Sequence, residues 1–378
     1  METPFDAVVK GNSEFSRKFY TMVAKTVSGN YVSSPISCLI ALAMAHAGAK
    51  GDSIQKIARG LRLPENMTHA LEGLSEVVKQ LRGAEKVELS IANKIYVKQD
   101  FPILEEYSES LKKYFKVEAE NLVFTDPSTA DKINEWVSKQ TNNKITNLVY
   151  PNFFDDQTLL TLVNAIYFKG SWLKPFNKHK TRNRPFFTDQ HKSIKVPFMY
   201  QSTHFDYRKL DELDAQLLIM LYEDYDTSMT IILPNKKDGL KELEEKLATA
   251  DVGELLQPRQ HLKVEVYLPK FKIETSLDLV DHLSKMGLSH IFSTDVNLTG
   301  ISTTEDLKVS KIVQKAFIEV NEEGTEAAAV SIERMAPMSC SYIQKKTTIV
   351  NCDHPFVFYI NFQRTHVFGG RVTNPANK

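Results

Sequence analysis

The side chains best suited to catalysis or metal binding do not fall into a recognisable arrangement. The chain of 378 residues has ten histidines and three cysteines. No two cysteines follow a CxxC spacing, and the histidines do not recur at the spacings of zinc ligands. The sequence also lacks a nucleophile elbow, a phosphate-binding loop, a dinucleotide fingerprint and an HExxH motif. We therefore expect no cofactor, no metal and no catalytic residue, and we predict that the protein is not an enzyme.

A basic run in the middle of the chain is the strongest local charge feature. The stretch KPFNKHKTRNRPF contains Lys178, Lys180, Arg182 and Arg184. Such a cluster can bind a polyanion weakly; the alternative is a solvated loop whose long side chains lie along the surface. The formal net charge is zero, so nothing global directs the chain to nucleic acid or to an anionic membrane. We expect neither of these partners.

Two features bear on the compartment. The longest apolar run, CLIALAMA, is too short to span a bilayer, and the N-terminal stretch METPFDAVVKGNSEF has no hydrophobic signal region. We expect a secreted monomer whose signal peptide is absent from this chain, with a cytoplasmic location as the alternative. In a secreted protein, the sequons at Asn66 and Asn297 are candidate glycosylation sites.

The elements that must position any functional residue follow two periodicities. In the first third, Ser34 and Pro35 form a cap before a run of helically spaced apolar residues, and TADKINEWVSKQTNN predicts a second helix. LTLVNAIYFKG is almost continuously apolar, which is typical of a strand buried on both faces. Further strands are predicted in DAQLLIMLYE, SMTIILPN, KVEVYLPKFKIE, PFVFYINF and IVQKAFIEV. Helices first and strands later favour an α+β fold with large, mainly antiparallel sheets, in a single domain over residues 1–378.

A tract of small residues near the C-terminus has no ordinary role in such a fold. NEEGTEAAAVSIERMAPMSCS follows the predicted strand IVQKAFIEV directly. In an extended chain alternate residues share a face, and one face would carry Thr325, Ala327, Ala329 and Ser331. That face could slide between two existing strands, and Gly324 would supply the backbone freedom to bend. The alternatives are an exposed Ala-rich helix or an irregular loop.

Over essentially its whole length the chain resembles the serpin family of serine protease inhibitors. The resemblance is carried, in the family's order, by NYVSSPISCLIALAMAHAGAKGDS, INEWVSKQTNNKITNLV, LVNAIYFKGSW, VEVYLPKFKIET, FIEVNEEGTEAAA and HPFVFYINFQRTHVFGGRVTNP. It implies a single domain with three β-sheets and about eight or nine α-helices. It also implies an exposed reactive-centre loop at about residues 322–345.

The resemblance implies a suicide-substrate mechanism on a metastable fold. A target protease cleaves the loop and forms an acyl-enzyme, and the loop then inserts into the main sheet and traps the protease. The bait implied is Met338-Ser339, which suits an elastase-like or chymotrypsin-like enzyme. Arg334 and Tyr342 remain alternative cleavage positions. The alternative functions are a non-inhibitory serpin, such as a carrier, chaperone or storage protein, and an inhibitor of cysteine proteases.

The resemblance also assigns a hinge and a latch. Ser34, Ser37 and Asn164 match positions beneath the main sheet, where we expect a hydrogen-bonded shutter, and Gln314 stands where the family often has histidine. The hinge comprises Glu322, Glu323, Gly324, Thr325, Glu326, Ala327, Ala328, Ala329 and Val330.

Gln314 is one departure from the family pattern, and two others bear on whether this chain inhibits in practice. Glu333 continues the inward-facing set of the tract, and burial of its carboxylate would be costly, so insertion is expected to slow near it. The stretch from Ser339 to His354 is several residues longer than in antitrypsin-type members. It contains Cys340, a thiol that could react or pair with another chain, and Cys352, for which the sequence gives no role.

Overall fold

The helices of the protein lie mostly in the first half of the chain, as the sequence predicts. A computed structural model describes residues 2–83, 87–250, 260–304, 306–324 and 348–377. Among these residues, no helix is both long and apolar enough to cross a membrane. The eight α-helices in the described residues are α1 (Pro4–Thr26), α2 (Pro35–Ala47), α3 (Asp52–Leu61), α4 (Met67–Arg82), α5 (Glu105–Tyr114), α6 (Thr129–Gln140), α7 (Leu240–Leu247) and α8 (Val280–Leu283).

The strands form two hydrogen-bonded sets. In the described parts of the chain they are β1 (Tyr31–Ser33), β2 (Val87–Lys98), β3 (Ala119–Leu122), β4 (Leu160–Gly170), β5 (Arg182–Phe187), β6 (Ser193–Leu210), β7 (Ala215–Leu221), β8 (Thr227–Pro234), β9 (Gln260–Pro269), β10 (Phe271–Asp278), β11 (Val309–Val320), β12 (Thr348–Asn351), β13 (Phe356–Phe362) and β14 (Thr365–Val372). Helices and strands are thus mixed without regular alternation, which makes the fold α+β.

Five strands form what we call the main sheet, in the order β10-β11-β4-β2-β3. Two of its four neighbouring pairs, β10–β11 and β4–β2, run antiparallel. The other two, the central pair β11–β4 and the edge pair β2–β3, run parallel. Strands β11 and β4 are paired from Val309–Leu160 to Ile318–Phe168. Since β4 is the strand LTLVNAIYFKG, the predicted burial on both faces is confirmed.

Each face of the main sheet packs against a different helix. Residues of one parity, such as Ile166 and Ile312, belong to the large core that also contains α2. Residues of the other parity, such as Val163 and Phe317, belong to a second cluster with Ile133 of α6. The main sheet is therefore a middle layer between α2 and α6, and separating its strands disturbs both cores.

The other nine strands form a second hydrogen-bonded set, and its long strand β6 connects the two parts of that set. They follow the order β1-β14-β13-β8-β7-β6-β9-β12, with β5 also paired to β6. The first part of β6 pairs with β5 and its last part with β7, while β9 pairs with most of its length between Phe198 and Tyr207. The two smaller sheets implied by the resemblance are consequently continuous through β6.

Two elements differ from the prediction. KVEVYLPKFKIE is not one strand, because β9 ends at Pro269 and β10 begins at Phe271 in the other sheet. Pro269 has no N–H to donate to a ladder, which suits the point where the chain changes sheets. Strand β2 was not predicted, since its partly buried residues give no regular alternation.

Candidate functional site

The chain leaves the main sheet at the end of β11 through a tight reversal. Asn321 and Gly324 form an isolated antiparallel bridge, with Gly324 in the left-handed region at φ +87°. A Cβ atom at position 324 would lie 2.2 Å from the Gly170 carbonyl oxygen and 2.5 Å from the Trp172 nitrogen. Only glycine fits this position, because both the backbone conformation and the close approach exclude a side chain.

One side-chain and two main-chain hydrogen bonds hold the reversal against the residues that follow β4. Trp172 donates its indole N–H to the Asn321 carbonyl at 3.0 Å and its backbone N–H to the Glu323 carbonyl at 3.1 Å. Phe176 donates its backbone N–H to the Glu322 carbonyl at 2.8 Å. The indole is buried and stacks on Tyr222 with ring centroids 4.4 Å apart. The first residues of the predicted hinge are therefore docked on a rigid aromatic support.

Two carboxylates of the hinge form ion pairs of different exposure. Glu322 is only 5% exposed and lies 2.8 Å from the Lys270 ammonium, while the Thr181 hydroxyl donates to its other oxygen at 2.8 Å. Burial opposes ionisation of this carboxyl, but the hydrogen bonds from Lys270 and Thr181 outweigh it, so the pKa of Glu322 lies below its usual value. Glu323 pairs with Lys178, which is largely exposed.

Replacing Glu322 with glutamine is expected to lower the free energy of unfolding at pH 7 by about 2 kcal/mol, because the Lys270 pair loses its buried partner. A depressed pKa stabilises the fold above the unfolded-state value, here 4.5, and the stabilisation disappears as the pH falls through the folded-state pKa. The difference between wild type and variant should therefore shrink below pH 4.5 in urea unfolding.

Glu323→Gln is the matched control for this experiment. Its carboxylate pairs with an exposed lysine, and such pairs contribute about 0.5 kcal/mol. Equal losses of unfolding free energy in the two variants would show that the buried Glu322–Lys270 pair is no more stabilising than the exposed one. A Glu322→Gln effect that does not change with pH would contradict the lowered pKa of Glu322.

A row of amides crosses the middle of the main sheet, with one amide on each of β11, β4 and β2. Gln314 of β11 is directly opposite Asn164 of β4, which is directly opposite Asn93 of β2. All three side chains are at most 5% exposed. Gln314 donates to the Asn164 side-chain oxygen at 2.6 Å, and Asn164 donates to the Asn93 side-chain oxygen. We call these three residues the polar row.

The polar row is fixed to the start of α2. Gln314 accepts the Ser34 backbone N–H and donates to the Ser34 carbonyl, both at 2.8 Å, and Asn164 donates to the Ser37 hydroxyl. The Ser34 hydroxyl caps α2 by accepting the Ser37 N–H at 3.3 Å and donates to the Val367 carbonyl at 2.6 Å. Glutamine suits this position because its amide donates and accepts at once. The Gln314–Asn164 bond must break before a strand can enter between β11 and β4.

A buried hydroxyl near the start of β4 lacks a hydrogen-bond partner among the described residues. Thr161 of β4 is fully buried, and its Oγ1 makes no hydrogen bond among the described residues. Such a group costs free energy when it leaves water. Thr161→Val, which removes the hydroxyl and keeps the shape, is therefore expected to raise the free energy of unfolding by about 1 kcal/mol in urea.

Thr158→Val provides the comparison for that substitution. Thr158 is equally buried, but its hydroxyl donates to the Asp155 carboxylate at 2.8 Å and accepts the Asp155 N–H at 3.2 Å. This variant should be destabilised. Destabilisation by Thr161→Val as well would show that the Thr161 hydroxyl has a partner in solution.

The structure brings the three predicted shutter residues together in one network and places Glu323 and Gly324 at the reversal. The remaining hinge and bait residues lie outside the described residues, as do Arg334, Tyr342, Glu333 and Cys340. Those hinge and bait residues are Thr325, Glu326, Ala327, Ala328, Ala329, Val330, Met338 and Ser339.

The remaining predicted sites are spread over the surface and the core. In the basic stretch, Lys178 pairs with Glu323. Asn66 and Asn297 are exposed at the surface. Cys352 is fully buried, and burial raises the pKa of its thiol, so it is not a reactive cysteine.

Sequence reasoning missed three residues of this region. Asn93 completes the polar row, Lys270 forms an ion pair with Glu322, and Trp172 donates a hydrogen bond to the reversal at Asn321. Asn93 stands among other polar residues of β2, such as Ser90 and Lys94, so the sequence did not single it out. Lys270 follows Pro269 in a segment that was predicted as a single strand, so its side chain could not be assigned to either sheet.

The fold and the site define an α+β protein in which the chain reverses directly after β11, one strand of a parallel pair. Comparison with known proteins identifies the family. The model of the family described as serpin (serine protease inhibitor) matches residues 10–375. Antichymotrypsin-2 of Bombyx mori is 36% identical over 95% of this chain and 96% of its own length. Alaserpin of Manduca sexta is 37% identical over 99% of this chain and 96% of its own length.

The solved structures agree. Serpin48 of the insect Tenebrio molitor superposes with a TM-score of 0.87 at 36% identity, covering 97% of this chain and 98% of that one. The chain belongs to the serpin family, and the fold implied by the resemblance is confirmed.

Proposed function

We propose that the protein is a suicide-substrate inhibitor of an elastase-like or chymotrypsin-like serine protease. The observation that carries the proposal is the geometry at the end of β11. The chain reverses at Asn321–Gly324, and the two strands beside it, β11 and β4, run parallel. A chain continuing from this reversal would run antiparallel to both strands. Its insertion would replace one parallel ladder by two antiparallel ones, which are slightly more stable per residue.

The register of the reversal supports the predicted inward set. If the Asn321–Gly324 pairing is extended along β11, Thr325 falls opposite Val320, Ala329 opposite Ala316 and Ser331 opposite Gln314. These β11 residues have the parity that faces the large core over α2. Small side chains there would enter without displacing the core, and Ser331 would meet the polar row.

The chemistry proposed for the loop is acyl transfer. The protease serine attacks the carbonyl carbon of Met338, the Met338-Ser339 bond breaks, and the new amine of Ser339 leaves as the ester to the protease forms. Insertion then carries the ester-linked protease away before water can hydrolyse the ester. Methionine is a flexible apolar side chain, and the name of the relative Antichymotrypsin-2 supports a protease of apolar preference.

Incubation with chymotrypsin and with elastase tests this proposal. The expected result is a covalent complex that survives denaturing gel electrophoresis, together with a released peptide beginning at Ser339 in the intact mass spectrum. Cleavage without a complex would overturn the proposal, and a peptide beginning at position 335 or 343 would move the bait to Arg334 or Tyr342. Papain in the same assay tests the cysteine-protease alternative.

One specific observation favours a non-inhibitory serpin as the second candidate. The same register puts Glu333 opposite Ile312, which is fully buried in the large core. An ionised carboxylate without a partner is costly there, so insertion could stop before the protease is displaced. In that case loop cleavage should leave the thermal midpoint unchanged, whereas full insertion should raise it strongly.

The location of the protein is proposed from its surface. We infer an extracellular protein, because Asn66 and Asn297 are both exposed and their sequons can be modified without disturbing the core. Expression through the secretory pathway of insect cells, followed by treatment with a peptide N-glycosidase, should reveal two glycans. Secretion without any mass change on treatment would contradict modification at these sites.

A further inference from the structure

One exposed sheet face combines cations with aromatic rings. Residues of one parity on β6 and β9 share this face, because Tyr200 lies opposite Tyr267 and His204 opposite Lys263. Arg182 and Arg184 of β5 share one side of that strand, and the Arg184 guanidinium lies over the Tyr267 ring. The two tyrosine rings are 4.9 Å apart. On the neighbouring edge strand β12, Ile349 is opposite Glu265 and is 52% exposed. We call this surface the basic aromatic face; its members are Lys180, Arg182, Arg184, Tyr200, Lys263, Tyr267 and Ile349.

Two cations of this face lie over tyrosine rings. The Arg184 guanidinium lies 4.0 Å from the centre of the Tyr267 ring, and the Lys180 ammonium lies 5.6 Å from that of Tyr200. Arg182 donates to the carbonyl of its neighbour Thr181. Among the described residues, none of the four cations forms an ion pair with a carboxylate.

Two carboxylates share the face without cancelling its charge. Asp206 is bonded to His261 at 2.9 Å. Glu265 lies between the tyrosine pair and Lys263 along β9. Four cations and two carboxylates give the face a net positive charge around the two tyrosine rings. Protein–protein interfaces commonly have aromatic residues at their centre and polar or charged residues at their rim.

Both ends of the segment between the described residues 324 and 348 are attached beside this face. At one end Glu323 pairs with Lys178, and Glu322 accepts the Thr181 hydroxyl, on either side of Lys180. At the other end the chain re-enters the fold at β12, whose first pairs are to Val264 and Glu265 of β9. A protein that binds this segment close to either of its ends would therefore contact the basic aromatic face or its edge.

We propose that the basic aromatic face is an exosite for the target protease, which it engages through an acidic surface next to the protease active site. This inference rests on the proposed function and adds the partner's surface chemistry to it. Opposite charges on the two proteins would raise the association rate constant and make it depend on salt. The tyrosine pair and Ile349 would supply the apolar contact at the centre.

The test uses Arg182→Glu/Lys263→Glu, which reverses two exposed charges without removing an aromatic contact. The control is Lys10→Glu/Lys132→Glu, which makes the same charge change at exposed positions on α1 and α6. Association rate constants are measured with an anionic and a cationic isoform of chymotrypsin at several salt concentrations. Because the two isoforms share a substrate preference, a difference between their association rate constants is attributed to the charge of their surfaces.

The face variant should inhibit the anionic isoform about tenfold more slowly at low salt, and should not be slowed toward the cationic isoform. The control variant should match wild type with both. Equal rate constants for the two variants with the anionic isoform would overturn the exosite. A face variant altered only in its retention on heparin would also overturn it, in favour of the polyanion site.

Failure of the proposed function is distinguishable from failure of the exosite. If neither isoform gives a denaturation-resistant complex with wild type, the suicide mechanism is wrong. In that case, the exosite is tested by measuring the noncovalent affinity for the anionic isoform whose catalytic serine is replaced by alanine. Weaker binding by the face variant alone supports the exosite, and equal binding by both variants rejects it.

Discussion

Gly324→Ala is expected to lower the free energy of unfolding by about 3 kcal/mol. A left-handed conformation costs a residue with a Cβ atom about 1–2 kcal/mol. The remainder comes from contact, since the Cβ would lie 2.2 Å and 2.5 Å from backbone atoms of Gly170 and Trp172. Relief requires the reversal to move off β4, which breaks hydrogen bonds from Trp172 and Phe176 that contribute about 1 kcal/mol each. Urea unfolding measures the loss.

Gly287→Ala separates the two causes. Gly287 has a similar φ of +98°, but a Cβ there would meet no atom within 4 Å. This variant should lose only the conformational part, about 1–2 kcal/mol. If Gly324→Ala is no worse than Gly287→Ala, the reversal is not docked on β4 in solution.

Asn164→Leu is the second substitution with a large expected effect. Asn164 is fully buried and bonds Gln314, Ser37 and Asn93. Leucine leaves these groups with fewer partners, at a cost of about 3 kcal/mol after its own apolar burial is counted. The variant should also accept a synthetic peptide of residues 325–336 into the main sheet faster than wild type, because the Gln314–Asn164 bond no longer holds β11 to β4.

Asn361→Leu is the control that separates a specific effect of the polar row on strand entry from a general loss of fold stability. Asn361 is also buried, and it bonds Thr230 and His366 within the nine-stranded set. This variant should lose stability without faster peptide uptake, as followed by the thermal midpoint after incubation. Equal acceleration by the two variants would mean that the polar row is not a specific latch.

The elements with a clear periodicity were predictable from the sequence. The helix after Ser34 and the strand LTLVNAIYFKG occur as predicted, because a serine cap followed by proline and a nearly continuous apolar run are local signals. The change of sheet after Pro269 was not predictable in this way, since apolar residues continue on both sides of it. Its position is set by pairing with β6 and β11, which lie far away along the chain.

The candidate site was predictable only in part. Ser34, Ser37 and Asn164 were placed by resemblance, and they do meet at the main sheet. Gln314 was treated as a departure, yet its two-way bonding to Ser34 makes it a full member of the network. Asn93 and Lys270 could not be assigned, because a buried amide and a buried ion pair are defined by partners from distant segments.

The chain has two tryptophans, one beside the reversal and one on α6. Trp172 is bonded to Asn321 at the reversal, while Trp136 of α6 packs edge-on against Tyr96 of β2 with ring centroids 6.5 Å apart. Departure of the hinge would change the surroundings of the first indole, and parting of the strands would change those of the second. Single Trp→Phe variants should therefore give two separate fluorescence signals, so that the order of loop release and sheet opening can be timed without any added label.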